Sequence, residues 1–353
     1  MSKTKPDVLL VGSVPRESAE EVFKTCSGIL GDHLQALPDG EVGVRKSWIQ
    51  CQAVGVFDKH PAIETVHLPQ SADVRGLATD YTDNWIFRVR PEIHALEFGE
   101  LGYARWAVDS YQVFRELRRL NEIPPGMRFQ VSLPTPLAGC ATYFDRPADR
   151  ELAYRAYEPA MMREASEICR QIPAQDLAIQ WDVCIEVLEI ASGRTVLDGD
   201  PWTRAGAQFE RIAQAIPATA MLGYHLCYGD LGHHHMVEPD DLALCVRMAN
   251  LAISRSPRRV DWIHMPVPIN RCDDTFFAPL RDLQNVETRI YLGLVHYHDG
   301  VEGTLARANV ARRFLAEFGI ATECGLGRRS PETLIDLLTI YRDVADRLSA
   351  NAG

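Results

Sequence analysis

Short apolar and β-branched runs recur along the chain. Each ends on a polar residue and is followed by a stretch with helical spacing. The runs are residues 8–12, 33–37, 127–133, 177–181, 219–224, 259–265, 289–295 and 319–322. Between them lie helix-start signals. Ser18 followed by Glu21 reads as a capping box. Asp200-Pro201, Glu238-Pro239 and Ser330-Pro331 each set a proline where a first helical turn accepts one. Beyond Ser330, Leu334, Leu337, Leu338, Tyr341, Val344, Ala345 and Leu348 follow the stripe of a helix with one buried face. Strands alternating with helices pair in parallel through crossover helices. Eight such units predict an α/β fold of the (β/α)8 TIM-barrel type. The second run is short, and residues 42–126 form a long insertion before the third. The insertion carries its own helix near residues 106–120 and is expected to form a rim or lid, with a small second domain as the alternative.

Composition narrows the picture. A length of 353 residues leaves one or two domains open, and eight consecutive units favour one barrel spanning residues 1–353. Hydrophobic residues make up 46% and charged residues 24%, which excludes a disordered chain or a small disulfide scaffold. The net charge of −11, with no basic tract, argues against nucleic acid as a partner. The N-terminus lacks a signal-peptide pattern, and no stretch approaches the ~18 apolar residues of a membrane span. A reduced, cytoplasmic protein is expected. Its nine cysteines then serve as free thiols or metal ligands rather than disulfides.

In barrels the site forms at the C-terminal ends of the strands. Those ends carry Gly12-Ser13, Asp39-Gly40-Glu41, Ser132 to Pro136, Asp182 with Cys184 and Glu186 beyond, His225-Leu226-Cys227-Tyr228, His264, His296-Tyr297-His298 and Glu323-Cys324. His225 and Cys227, two apart on an extended strand, face one side. With Cys324 they form a His–Cys–Cys set suited to Zn²⁺, with a coordination position open to substrate. The spacing alone fits buried thiols beside a hydrogen-bonded histidine better than a metal site. His233, His234 and His235 form a run six residues beyond Cys227, either a solvated loop or the rim of the site. Arg45, Arg328 and Arg329 offer forks for a carboxylate. Neither a Gly-rich phosphate loop nor a G-x-S-x-G elbow occurs, which argues against nucleotide hydrolysis and Ser-His-Asp chemistry.

At these residues the chain resembles the C-terminal catalytic domain of cobalamin-independent methionine synthase. That family shares a barrel superfamily with uroporphyrinogen decarboxylase and the zinc methyltransferases acting on coenzyme M. Leu10-Val11-Gly12-Ser13-Val14-Pro15 resembles I-G-S-F-P. Asp39-Gly40-Glu41 through Arg45 resembles H-G-E-x-x-R, and Ile179-Gln180-Trp181-Asp182 resembles I-Q-I-D-E-P. Tyr224-His225-Leu226-Cys227-Tyr228 resembles H-M-C-Y. Gly293 through His298 resembles G-V-Y-D-I-H, and Cys324 through Arg329 resembles D-C-G-L-K-T-R.

The resemblance implies zinc held by His225, Cys227 and Cys324, and His298 as catalytic acid. It further implies that Ser13, Glu41 and Asp182, with Arg45 nearby, hold the substrate. The family's glutamate ligand at the end of strand six is replaced here by the region of Pro266, so His264 substitutes or the site has three protein ligands. The D-I-H position has become His296-Tyr297-His298, which makes His296 an acid–base partner of His298. Asp182 is expected to receive an ammonium or hydroxyl. The activity implied is methyl or alkyl transfer to a small-molecule thiol, from a folate or a corrinoid-type carrier. A metal-independent lyase or decarboxylase is the alternative. A non-catalytic metal- or corrinoid-handling partner is a second.

Overall fold

The structure, a computed structural model, describes residues 8–47, 49–80, 82–231, 234–284 and 287–350. Its centre is a parallel sheet of seven strands: β1 (Ala36–Pro38), β4 (Arg128–Pro134), β5 (Leu177–Val183), β6 (Met221–Leu226), β7 (Trp262–Pro266), β8 (Arg289–Val295) and β9 (Gly319–Thr322), in that order. β2 (Ile63–His67) and β3 (Ile86–Val89) form a separate antiparallel pair. The sheet curls so that its edges approach one another. Val8 makes single parallel bridges both to Leu34, just before β1, and to Ile320 in β9. The first expected run therefore makes isolated bridges instead of a ladder, and β1 lies later than its expected 33–37.

Parallel strands flanked by helices are buried on both faces, and β5 is buried at every position. The core accordingly has two layers. Outside the sheet, one large cluster joins strands to helices. Inside the curl, Leu9, Val11, Ala36, Ala178, Trp262, Tyr291 and Ala321 pack together. Gln130 and Gln180 also point inward and donate to backbone carbonyls of Leu10 and Val11. The 8–13 segment is thus held by side chains where the ladder is sparse. A glycine at 223 is required: a Cβ there would lie 1.9 Å from the indole of Trp262.

Capping follows the sequence. Ser18 accepts from the amide of Glu21 at 3.2 Å and opens the helix Ala19–Leu30. Asp200 accepts from the amide of Thr203 at 2.8 Å and opens Pro201–Gln214. Glu238-Pro239 instead precedes a bend, and that helix begins at Ala243. Within 42–126, the helix Tyr103–Arg119 packs on Ala19–Leu30 and on Pro147–Gln171. It takes the crossover position between β1 and β4. The β2–β3 pair was not foreseen. Among the described residues no helix is long and apolar enough to cross a membrane.

Candidate metal centre

Alternation along β6 turns Gly223, His225 and, just past the strand, Cys227 toward the interior. Cys324 reaches the same point from beyond β9. The ligand atoms of His225, Cys227 and Cys324 all lie within 4.8 Å of one another. Cys227 Sγ is 4.0 Å from Cys324 Sγ, and Cys324 Sγ is 3.6 Å from His225 Nε2. A tetrahedral zinc with ordinary bond lengths sets sulfur–sulfur edges of about 3.8 Å and sulfur–nitrogen edges of about 3.5 Å. The three side chains fit that ion.

The tautomer of His225 follows from its neighbours. His264 Nε2 lies 2.9 Å from the carbonyl oxygen of Thr322, which can only accept, so Nε2 carries the proton. Burial pushes the His264 pKa down to about 3, so the ring is neutral and its Nδ1 is an acceptor. His225 Nδ1, 2.7 Å away, donates to it. His225 Nε2 is left with its lone pair facing the two sulfurs. His264 is therefore not brought into the ligand set: both its nitrogens are engaged, and it stands behind His225 as its orienting partner.

Both thiols are held protonated by their surroundings. A hydrogen bond with Cys184, together with burial, pushes Cys227 well above the ordinary cysteine value. Contact with Cys227, and burial, do the same to Cys324. Such thiols ionise when a cation coordinates them. The amide of Gly229 donates to Cys227 Sγ at 3.3 Å, and Arg328 Nη2 lies 3.6 Å from Cys324 Sγ while also bonding Asp230 Oδ2 at 3.1 Å.

These groups open into a cavity of about 240 Å³. Ser13, Glu41 and Asp182 line it, as expected, together with Cys184, Arg328 and apolar Ile49, Ile185, Leu188 and Met236. Glu41 adopts φ +50°, a left-handed conformation rare for a non-glycine residue. Its Oε1 occupies the space that a Cβ on residue 12 would take, at 2.7 Å, so Gly12 makes room for the carboxylate. Burial and the neighbouring Asp182 raise the Glu41 pKa to about 8. Asp182 accepts from Gln180 at 2.9 Å. Ser13 Oγ accepts from the amide of Gly327 at 3.1 Å, tying the first segment to the Cys324 loop.

Three of the expected site residues lie off the cavity. Arg45 is spent on Asp39, whose carboxylate it grips at 2.7 and 3.2 Å, and does not line the cavity. Asp39 in turn accepts from Ser110 and from the amide of Glu41. Arg45 thus fixes the turn that carries Glu41. His298 is exposed in the turn before the helix Gly300–Ala311 and does not line the cavity either. The chain leaves β8 at Val295, and the turn is pinned when Asp299 pairs with buried Arg307 at 2.6 Å. His296 is buried, with Nε2 on the carbonyl of Val267 at 2.9 Å and Nδ1 3.5 Å from Glu323, also off the cavity.

His233 lies outside the described residues. His234 is exposed, and His235 sits between Glu238 and Glu323 at 3.2 and 3.4 Å. Sequence reasoning missed Asp230, the partner of Arg328, and Gln50, Tyr143, Asp80 and Asn84, which also line the cavity. No local motif marks those four, because they come from the irregular part of 42–126 and from the turn after β4.

No protein-family model matches the chain, and no curated protein matches it in sequence. Solved structures do share its fold. A B12-independent methionine synthase from Shewanella sp. W3-18-1, in complex with selenomethionine, aligns over 98% of this chain and 98% of its own at 14% identity, with a TM-score of 0.61. A methyltransferase from Methanosarcina mazei aligns over 98% of this chain and 95% of its own at 10% identity, with a TM-score of 0.56.

Proposed function

We propose that the chain is a zinc-dependent transferase that moves a methyl or other alkyl group onto a thiol. The observation that carries this reading is the convergence of His225, Cys227 and Cys324, oriented by His264, in a cavity that Glu41 and Asp182 also line. Two thiolates and a neutral imidazole balance the charge of a zinc ion, which supplies the ionisation of a substrate thiol at neutral pH. Around it the chain's own residues bind and orient. Burial beside Asp182 favours the protonated form of Glu41, and a substrate ammonium satisfies both carboxylates. A thiol that also carries an amino group is therefore the acceptor class the cavity suits. Ile185, Leu188 and Met236 keep the rest of the cavity apolar, and the donor is a folate or corrinoid methyl carrier.

We read the fold as an eight-unit barrel in one domain, with the 8–13 segment as its first strand; the bridges of Val8 to both sheet edges support this. The methyltransferase neighbours agree with the reading. A metal-free lyase leaves the converging imidazole and thiols without a task.

The test is metal analysis followed by turnover. Purified protein is expected to hold about one zinc per chain, lost in Cys227→Ser and Cys324→Ser. Methyltetrahydrofolate and methylcobalamin are then offered with thiols that carry or lack an amino group. Methylated aminothiol formed by the zinc-loaded chain, and not by the cysteine variants, supports the proposal. Full activity in protein stripped of metal refutes it.

A further inference from the structure

Arg328 lines the cavity, but its guanidinium is engaged by the chain itself. Nε donates to the backbone carbonyl of Asp230 at 3.2 Å, and Nη2 donates to the Asp230 carboxylate at 3.1 Å. Nη2 carries a second hydrogen, and Cys324 Sγ lies 3.6 Å from the same nitrogen. Asp230 follows Cys227 in the loop after β6, and Arg328 follows Cys324 in the loop after β9. The ion pair therefore ties together the two loops that bring the thiols. Little of it meets water: the Arg328 side chain is 18% exposed and that of Asp230 5%. The other sulfur has a donor of its own, the Gly229 amide at 3.3 Å from Cys227 Sγ.

We propose that Arg328, held in place by Asp230, is a positioning residue that keeps Cys324 from being alkylated in place of the substrate. The inference rests on the metal site proposed above and adds how that site chooses between nucleophiles. The proposed reaction gives an incoming methyl group three sulfurs to choose from, and two of them are the chain's own. The thiolate form of a cysteine is its nucleophile. A hydrogen bond to that sulfur occupies a lone pair that attack on carbon needs, and a charged donor holds it about twice as strongly as a neutral one. The charged donor sits on the sulfur that needs it more: Cys227 is buried, whereas Cys324 is only partly so. Both donors are spent on the chain's own sulfurs, which leaves the substrate sulfur as the strongest nucleophile of the three.

The zinc-loaded chain is treated with methyl iodide in the absence of any thiol, and peptide mass spectrometry locates the added methyl groups. Cysteine sulfur attacks carbon, the S–C bond forms as C–I breaks, and iodide leaves with the bonding pair. Exposed Cys272 reports the rate of an unprotected cysteine in the same sample. Wild type is expected to react slowly at both Cys227 and Cys324. In Arg328→Met, methylation of Cys324 is expected to rise by about tenfold or more, while Cys227 keeps its rate because the Gly229 amide is untouched. Asp230→Asn, which loosens the guanidinium without removing it, is expected to give a smaller rise at Cys324, and it carries the test if Arg328→Met does not fold or hold zinc. An unchanged Cys324 rate in the zinc-loaded variant would overturn the inference. So would an equal rise at both cysteines, which is the mark of a loosened loop and not of a lost hydrogen bond. Either result leaves the metal site standing, whereas a wild-type chain that takes up no zinc would overturn that site and this inference with it.

Discussion

A histidine binds a metal through whichever nitrogen its surroundings leave unprotonated. Here the relay from the Thr322 carbonyl through His264 leaves Nε2 of His225 free. His264→Ala is expected to weaken zinc binding by roughly 10- to 100-fold, measured by competition with a chromophoric chelator. His298→Ala should leave that affinity unchanged, since the residue is exposed and outside the cavity. Glu41 makes a different statement. Its pKa rises from 4.5 to about 8 on folding, so the folded chain holds a proton that the unfolded chain releases. Its contribution is fully present below pH 4.5 and is lost as pH rises toward 8. Glu41→Gln is expected to unfold at a higher temperature than wild type near the top of that window and to lose the advantage near the bottom. Thermal unfolding across the window reads this directly, at roughly 1–2 °C per kcal/mol for a chain of this size.

Adjacent strand ends build the site, so the sheet register is part of the chemistry. His225 stands opposite His264 because Gly223 pairs with Trp262 two positions earlier. The missing side chain at 223 lets the indole lie across β6. Gly223→Ala forces Trp262 aside and is expected to cost about 1–3 kcal/mol, seen as a lower urea midpoint, with weaker zinc binding in the same variant. The loops after β7 and β8 have their own tie. Arg307 is buried and donates to the carbonyls of Leu294 and Ile269 as well as to Asp299. Arg307→Met leaves those acceptors without their donor and is expected to cost about 3–5 kcal/mol. Equilibrium unfolding of the variant checks this.

At the scale of the molecule, the sheet depends on its sparsest member. The 8–13 segment bridges Leu34 and Ile320 at Val8 and Gly40 at Ser13, and is held further by Gln130, Gln180, and the Ser13 contacts with Leu326 and Gly327. Removing residues 1–13 strips those inward glutamines of their acceptors and exposes the small interior core. Loss of a single cooperative transition is the expected result, followed by circular dichroism and calorimetry. A truncated chain that unfolds cooperatively at the wild-type temperature would show that the segment is dispensable.

Periodicity along the chain was enough to foresee the parallel α/β sheet, because strand burial and helix stripes are local patterns written in neighbouring residues. Seven of the eight expected runs became strands of that sheet. The meeting of His225, Cys227 and Cys324 was also legible, since strand parity and strand ends constrain where side chains point. What the chain alone left open was which group each of these residues touches. Arg45 became the partner of Asp39, His264 turned its two nitrogens to Thr322 and His225, and His298 fell on the outside of a turn. Those outcomes hang on contacts such as Ser110 with Asp39, 71 positions apart, and on the exact length of a strand. Residue types and spacing select the kinds of atoms at a barrel mouth, but only packing between distant segments decides which of them face the cavity and which are consumed in holding it together.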